Sequence, residues 1–115
     1  MNPSKVRGTR YESALVTYFR DRGFARAERR ALSGTQDKGD LIGISDHWTF
    51  EAKDHQTIDL AGFLDQAKTE ALNAGTPNAA AIIKRRRKPV AESYVVMTLD
   101  QFATLLLSGE LGESP

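Results

Sequence analysis

Residues 40–53 read Asp-Leu-Ile-Gly-Ile-Ser-Asp-His-Trp-Thr-Phe-Glu-Ala-Lys, and this stretch decides the fold. Residues 41–44, which follow Asp40, are apolar or glycine. In residues 48–53, apolar and polar side chains alternate, as in a strand with one buried face. Ser45 and Asp46 separate the two runs and are residue types that favour turns. We therefore predict an antiparallel hairpin of two strands, residues 40–44 and 47–53, joined by a tight turn.

Strand periodicity brings three charged groups of this hairpin together. Side chains two positions apart share one face of a strand, so Glu51 and Lys53 point the same way, beside Asp40 at the start of the preceding strand. Two carboxylates can hold a divalent cation, and an ammonium beside them can support an attacking water or the charge that builds on a phosphate. We interpret this set as a candidate site for metal-assisted phosphodiester cleavage. The alternative is a surface hairpin with a solvated Glu–Lys pair.

Composition limits the class of protein. The chain has 115 residues, of which 40% are hydrophobic and 27% charged, which is ordinary for one soluble globular domain. No run approaches the roughly 18 apolar residues of a membrane helix, and the N-terminal residues do not resemble a secretion signal. The absence of cysteine excludes disulfides, thiolate metal ligands and cysteine nucleophiles, and it fits a reducing compartment. We therefore expect a cytoplasmic protein without a membrane partner.

The formal net charge of +1 hides an uneven distribution of basic residues. The basic groups are Lys5, Arg7 and Arg10, then Arg26, Arg29 and Arg30, and finally the run Lys84-Arg85-Arg86-Arg87-Lys88. Such blocks can present a positive surface to a phosphate backbone even in a nearly neutral protein. The alternative for each block is a solvated face, but the uninterrupted run is costly without a polyanionic partner because its charges repel one another.

The remaining patterns predict an α/β fold in the order helix, three strands, helix, strand, strand, helix, with a mixed central sheet flanked by helices. A flexible basic arm is expected over residues 1–7, and a frayed tail over residues 109–115. Thr9 and Glu12 fit a capping box that starts the first helix, and the domain is expected to span residues 1–115. The other predicted elements are strands at residues 24–32, 79–84 and 93–98 and helices at residues 58–74 and 98–107.

This pattern resembles the PD-(D/E)XK nuclease superfamily, and within it most closely the archaeal-type Holliday junction resolvases and their phage relatives. The resemblance covers residues 7–107. Its motifs are a helix with Glu12, a Ser33-Gly34 loop, Gly39-Asp40-Leu41-Ile42, Glu51-Ala52-Lys53, a helix with Gln66 and a strand ending in Lys84. The resemblance implies a restriction-endonuclease-like αβββαβ core. Gly39 stands where the motif name has proline, and Glu70 stands where a tyrosine often follows the glutamine.

Carried onto this chain, the resemblance implies a role for each matching residue. The metal ligands would be Asp40, Glu51, the Ala52 carbonyl and Glu12, and the catalytic residues would be Glu12, Asp40, Glu51 and Lys53. Gln66 would support the site from the second helix. DNA would be bound by Arg10, Arg29, Arg30, Ser33, Lys84, Arg85, Arg86, Arg87 and Lys88. The metal would be Mg²⁺, with Mn²⁺ as a substitute. For Glu12 alone, the capping role remains an equal alternative.

The function implied is a Mg²⁺-dependent endodeoxyribonuclease that cuts branched DNA as a Holliday junction resolvase, in recombination and repair. A symmetric junction needs two active sites, so we expect a homodimer, in a bacterial or phage-infected cell. Interface candidates are Trp48, Phe50 and Phe63 or the last helix with Phe102, Leu105, Leu106 and Leu107. The alternatives are a nuclease acting on flaps or ends, a nucleic-acid binding module that does not cleave, and a protein-interaction domain.

Overall fold

The computed structural model describes residues 2–31, 34 and 36–109. The elements are α1 (Pro3–Asp21), β1 (Glu28–Arg29), β2 (Leu41–Ile42), β3 (Trp48–Lys53), α2 (Leu60–Ala74), β4 (Asn78–Ile83), β5 (Tyr94–Val96) and α3 (Leu99–Ser108). A short 3₁₀ turn at Val90–Glu92 precedes β5. The protein is therefore a mixed α/β structure, as predicted, and its elements follow one another in the predicted order.

The strands form a three-stranded mixed sheet in the order β3-β4-β5 and a separate antiparallel pair, β1-β2. β3 is parallel to β4, with Trp48 opposite Asn78 and Lys53 opposite Ile83, whereas β5 runs antiparallel to β4. A parallel pair needs a long crossover, and α2 supplies it. The predicted hairpin between residues 40–44 and 47–53 is wrong, because β2 pairs with β1 instead.

Gly39 explains why the chain does not enter a regular hairpin. Its φ is +97°, and an added Cβ would lie 2.6 Å from Thr49 Cγ2 and 3.1 Å from the Phe50 carbonyl oxygen. Proline, whose φ is held near −65°, cannot adopt this conformation, so glycine at this motif position is a structural requirement. The chain then contacts β3 through Asp40, whose amide donates to the Phe50 carbonyl at 2.9 Å.

Helix α1 starts earlier than predicted. Asn2 is its N-cap and accepts a hydrogen bond from the Ser4 amide at 3.0 Å, and Pro3 occupies the first turn. This Asn-Pro start is favourable because proline is preorganised for the first helical position. The flexible arm predicted over residues 1–7 is therefore wrong for residues 3–7, which are helical, and Glu12 lies mid-helix and is not a capping residue. The tail predicted at 109–115 lies, after Gly109, outside the described residues.

Two helices cover opposite faces of β3 and β4. On the α1 side, Tyr11, Leu15 and Val16 pack with Leu41 and Ile82. The half-buried side chains Phe50 and Ala52 join this cluster. On the other side lie the buried residues Phe63, Ala67, Ala71, Ala79, Ala81 and Ile83. The odd positions of β3 therefore face α2, as the strand periodicity predicts.

The side chain of Gln101 connects the last helix to the sheet. Thr98 caps α3 by accepting a hydrogen bond from the Gln101 amide at 3.2 Å. The Gln101 side chain, however, pairs with the Ala79 backbone, donating to its carbonyl at 2.6 Å and accepting from its amide at 2.9 Å. It thereby provides hydrogen-bond partners for the Ala79 amide and carbonyl, which lie beyond the part of β4 that pairs with the short strand β5. Among the described residues, no helix has both the length and the hydropathy of a bilayer-spanning segment.

Candidate functional site

The centre of the site is a buried ion pair on β3. Lys53 Nζ lies 3.3 Å from Glu51 Oε1, and the Glu51 residue is only 4% exposed. The Lys53 ammonium also lies 5.4 Å from the centre of the Phe63 ring, which favours a cation–π contact. Because both side chains occupy odd positions of β3, they share the face that packs on α2.

Helix α2 adds a second buried acid, Glu70, which is 2% exposed. It is in phase with Phe63 and Ala67 on the buried face of the helix. The Gln66 side-chain amide lies one turn earlier and donates to Glu51 Oε1 at 3.3 Å and to Glu70 Oε2 at 3.1 Å. Gln66 therefore links the carboxylate on β3 to the carboxylate on α2.

The loop before β2 supplies a third acid, Asp37. Single carboxylate oxygens of Asp37, Glu51 and Glu70 lie within 4.8 Å of one another, and we call these residues the three-acid cluster. Asp37 Oδ1 accepts from the Gly39 amide at 2.9 Å. The Asn73 side chain donates to the Asp37 carbonyl at 2.8 Å, which ties this loop to α2.

Asp40 lies beside the cluster at the edge of β3. Its Oδ2 accepts a hydrogen bond from the Ala52 amide at 2.7 Å, and its carboxyl group is close enough to Glu51 for the two charges to interact. Because the N–H and C=O of one strand residue point to the same edge, the Ala52 carbonyl faces Asp40 as well. Glu12 approaches from α1 and acts electrostatically on Asp40, but its own carboxylate is paired with Arg29 Nε at 3.1 Å.

Crowding of carboxylates in a desolvated site changes their acidity. Burial, and then the charge of Glu51, raise the pKa of Asp40 from 3.8 to about 8. Burial and the neighbouring Glu70 raise the pKa of Glu51 from 4.5 to about 8, although Lys53 acts in the opposite direction. Burial raises the pKa of Glu70 to about 7. The site thus lacks positive charge, because one ammonium cannot compensate several buried acids.

The three-acid cluster could hold a metal ion. Glu51 Oε2 and Glu70 Oε1 are buried, and in the described part of the chain they have no hydrogen-bond partner. Buried carboxylate oxygens are normally paired or bound to a metal. Each of the three residues offers an oxygen that lies within 4.8 Å of the other two, and carboxylate oxygens are ligands that Mg²⁺ and Mn²⁺ prefer. The donor set therefore fits a hard divalent cation.

Asp37 is the member of the cluster that lines a cleft of about 420 Å³, which we call the first cleft. Asp37 and Asp40 line it together with Glu12, Arg29 and Arg30. Arg30 Nε is buried and has no hydrogen-bond partner among the described residues, so this guanidinium can still donate a hydrogen bond to an anionic partner. Two of the predicted DNA-binding arginines therefore lie next to the carboxylates.

The other predicted DNA-binding residues lie elsewhere or have other contacts. Arg10 is exposed on α1, and Ser33 lies outside the described residues. Within the basic run, Lys84 Nζ donates to the Lys88 carbonyl at 3.2 Å. Arg85 pairs with Glu92 Oε1 at 3.5 Å and lies 5.1 Å from the centre of the Tyr94 ring.

Sequence reasoning missed two acids of the site, Asp37 and Glu70. Glu70 was predictable in part, since it shares a helical face with Phe63, Ala67 and Ala71, and an acid in phase with an apolar stripe indicates a buried charge. Asp37 lies in a polar loop without periodicity, so no local signal distinguishes it. The structure brings Asp40, Glu51 and Lys53 together as expected and places Gln66 in contact with Glu51.

Comparisons of the chain with protein-family models, with curated proteins and with solved structures find no match, so its likeness to the nuclease superfamily stays a prediction.

Proposed function

We propose that this chain is a metal-dependent DNA endonuclease that hydrolyses phosphodiester bonds. The observation that carries the proposal is the three-acid cluster with the Lys53 ammonium 3.3 Å from one of its carboxylates. In an ion pair with a purely structural role, the charges usually balance, because burying uncompensated charge is costly. Here several buried carboxylates share one cation. Such an arrangement is typical of sites where a cation and an anionic substrate complete the charge balance.

Each residue of the site would contribute a distinct function. Glu51 and Glu70 would hold the metal ion, Mg²⁺ or Mn²⁺, with Asp37 or Asp40 completing the oxygen ligands. When bound, the ion supplies a Lewis acid that activates water and neutralises phosphate charge. Lys53 would stabilise the negative charge that develops on the phosphate or position the attacking water. Gln66 would orient both metal-binding carboxylates through its amide.

The basic residues of the first cleft support a nucleic acid as the substrate. Arg29 and Arg30 line the cleft beside Asp37 and Asp40, where they could bind the phosphates that flank the scissile bond. Glu12 holds Arg29 through an ion pair, so this acid would position a DNA-binding arginine as well as act on Asp40.

The finer assignment, a Holliday junction resolvase that works as a homodimer, rests on the sequence resemblance. Phe63 is 8% exposed and buried against the sheet, which removes it from the candidate dimer interface. The last helix remains a candidate because Phe102, Leu106 and Leu107 are 41%, 55% and 90% exposed. Light scattering at micromolar concentration would measure the mass, and a monomer would contradict this part of the proposal.

The proposal is tested by incubating the protein with a labelled four-way junction and the matching linear duplex, in Mg²⁺, in Mn²⁺ and in EDTA. Symmetric, metal-dependent nicking of the junction alone would support a resolvase. Cleavage of duplex, flaps or ends would support a nuclease whose substrate is not the four-way junction. Binding without cleavage in either metal would overturn the proposal in favour of a nucleic-acid binding module.

A pair of matched variants assigns the activity to the site. Glu51→Gln should abolish cleavage and leave junction binding intact, because it removes a metal ligand without changing the shape of the side chain. Asp65→Asn makes the same chemical change at an exposed position of α2, one residue before Gln66, and should cleave normally. Normal cleavage by Glu51→Gln at the same metal concentration would contradict the assignment.

A further inference from the structure

A second cleft, of about 210 Å³, lies beyond the carboxyl ends of the parallel strands β3 and β4. Residues 54–56 follow β3 directly and line one wall. Lys84, Arg86 and Arg87 follow β4 and line another wall, and Arg7 reaches the cleft from the first turns of α1. Ligands of α/β sheets bind preferentially at the carboxyl ends of parallel strands. The fold therefore assembles this second cleft from three separate segments of the chain.

The second cleft is strongly positive. Among the described residues, its lining includes four basic side chains, those of Arg7, Lys84, Arg86 and Arg87, and one carboxylate, that of Asp54. In the part of the chain that the structure describes, ion pairs engage Arg29, Lys53 and Arg85 and none of these four. Like charges that converge without counter-ions repel one another, so an anion bound among them would be favoured.

The basic run is shaped so that its members point in different directions. The Lys84 ammonium donates to the carbonyls of Arg85 and Lys88 at 3.5 Å and 3.2 Å, which closes the run into a turn. Arg87 has a φ of 60°, in the left-handed region that a non-glycine residue rarely adopts. Backbone strain of this kind is concentrated at functional sites. In this turn Arg86 and Arg87 line the cleft, whereas Arg85 lies against Glu92 and Tyr94.

We propose that the second cleft is a phosphate-binding subsite that holds a phosphate group of a nucleic acid away from the carboxylates, an inference that rests on the proposed function. Guanidinium groups bind phosphate oxygens in a bidentate manner, and the side chains of His55 and Gln56 in the lining offer further hydrogen-bond donors. The second cleft therefore takes a phosphate through charge and hydrogen bonds, without reading bases.

The position of the second cleft relates it to the first. Asp54 follows Glu51 by three residues, a distance of about 10 Å at the rise of an extended strand. Phosphates of one DNA strand are spaced by about 3.4 Å along the helix axis. A phosphate in the second cleft would therefore be a different phosphate of the strand from one at the three-acid cluster. The ring of Phe63 lies between the two regions and contacts both Lys53 and His55.

The test measures DNA binding in EDTA by fluorescence anisotropy, at several salt concentrations, for three charge-removing variants. Arg7→Gln and Arg86→Gln should each raise the Kd about five- to tenfold and reduce the salt slope by about one, the loss expected for one phosphate contact. Arg85→Gln is the matched control, because it removes the same charge one residue away. Its guanidinium lies at Glu92 and Tyr94, so its Kd should change less than about twofold.

Two sources of the phosphate are separated by the DNA used. If the effect of Arg86→Gln appears only with a 5′-phosphorylated oligonucleotide, the second cleft binds a terminal phosphate. If it appears equally with unphosphorylated DNA, the second cleft binds an internal phosphodiester. Both results support the subsite. Equal binding by Arg7→Gln, Arg86→Gln and Arg85→Gln, with unchanged circular dichroism, would overturn it.

Parallel cleavage assays in Mg²⁺ separate this inference from the proposed function. If the wild type cleaves DNA and all three variants bind it equally well, the proposed nuclease function is supported and the phosphate subsite is rejected. Selective weakening by Arg7→Gln and Arg86→Gln without cleavage of any DNA would keep the subsite and reject the nuclease. A wild-type protein that binds no DNA would reject both.

Discussion

Gln66 Nε2 lies 3.1 Å from Glu70 Oε2, one helical turn away, and the same amide group lies 3.3 Å from Glu51 Oε1 on the neighbouring strand. An amide NH₂ group has two donors and no positive charge. It therefore satisfies one oxygen of each carboxylate and leaves their charge uncompensated. Glu51 Oε2 and Glu70 Oε1 remain buried without a partner among the described residues, and this arrangement leads to the predictions below.

Replacing Glu70 by glutamine should increase the stability of the metal-free protein and weaken its binding of metal. Without metal at pH 8, Glu70→Gln should raise the melting temperature by a few degrees, because it removes a buried charge whose pKa is raised to about 7. The same variant should lose most of the stabilisation that Mn²⁺ gives the wild type. Thermal unfolding with and without Mn²⁺ measures both effects.

The control for this prediction is Asp65→Asn on the exposed face of α2. Its melting temperature and its response to Mn²⁺ should match those of the wild type. A Glu70→Gln variant that is strongly destabilised without metal, and that still responds fully to Mn²⁺, would remove Glu70 from the metal site.

The stability of the metal-free protein should decrease as the pH rises from about 5 to 8. Folding raises the pKa of Asp40, Glu51 and Glu70, so the folded state binds more protons than the unfolded chain in this interval. The stabilisation that these three carboxyl groups contribute is therefore complete below their pKa values in the unfolded chain, which are near 4. It is lost as the pH rises through their pKa values in the folded protein. Urea unfolding in EDTA at pH 5 and pH 8 measures the difference.

Two comparisons make this pH dependence specific to the site. Glu51→Gln should show a smaller loss of stability between pH 5 and pH 8, since it lacks one of the carboxyl groups whose pKa is raised by folding. Saturating Mn²⁺ at pH 8 should restore much of the lost stability in the wild type, because the cation compensates the ionised acids. A wild-type stability that increases with pH over this range would contradict the raised pKa values.

Lys53→Met should lower kcat about 10²- to 10³-fold, the loss typical of removing one group that stabilises transition-state charge. The Kd for the junction in EDTA should change by less than about threefold, since Lys53 is largely buried beside Glu51 and Phe63. Lys68→Met, at an exposed position of α2, is the matched control and should keep full activity. Equal losses in kcat and in DNA affinity would assign Lys53 to substrate binding.

Gln66→Ala should weaken metal affinity about 10- to 100-fold, as is usual when a group that orients metal ligands is removed. Its amide holds Glu51 and Glu70 in their relative positions. The readout is the Mn²⁺ concentration at the midpoint of thermal stabilisation, which does not depend on turnover. Thr69→Ala, exposed on the same helix, should leave this midpoint unchanged, and an equal shift in both variants would rule out an orienting role.

Two glycine substitutions should have opposite effects on stability. Gly39→Ala should destabilise the protein by about 1–3 kcal/mol, because Gly39 has a φ of +97° and a Cβ would lie 2.6 Å from Thr49 Cγ2. Gly8→Ala should stabilise it by about 0.5–1 kcal/mol, because this position is helical and, apart from the neighbouring backbone of the helix, no described atom lies within 4 Å of an added Cβ. Denaturant unfolding measures both, and similar effects would contradict the backbone geometry at Gly39.

The predictable part of the site depends on local periodicity. Glu51 and Lys53 share a strand face because side chains alternate along any strand, and the structure confirms their contact at 3.3 Å. The polar start of α3 at Thr98 is likewise a local signal. The start of α1 was predicted wrongly because Thr9 and Glu12 also fit a capping box, and the Asn2-Pro3 pair makes the more favourable start.

The unpredictable part depends on contacts between distant segments. The sequence favours a hairpin for residues 40–53, but β3 pairs with β4, which begins 30 residues after β3 begins, with Trp48 opposite Asn78. Asp37 reaches Glu70 only because its loop folds back onto α2, where Asn73 binds the Asp37 carbonyl. Neither contact has a periodic pattern that could be recognised in advance.

By itself the sequence determined the α/β class, the order of the elements, and the pairing of an acid with a lysine on one strand face, since each depends on residues a few positions apart. Only the tertiary structure decided which acids meet. Packing α2 against β3 and β4 buries Glu51 and Glu70 together and brings Asp37 to them. The physical reason is that apolar contacts between α2 and the sheet compensate the cost of desolvating these carboxylates, and that balance exists only once the whole core has formed.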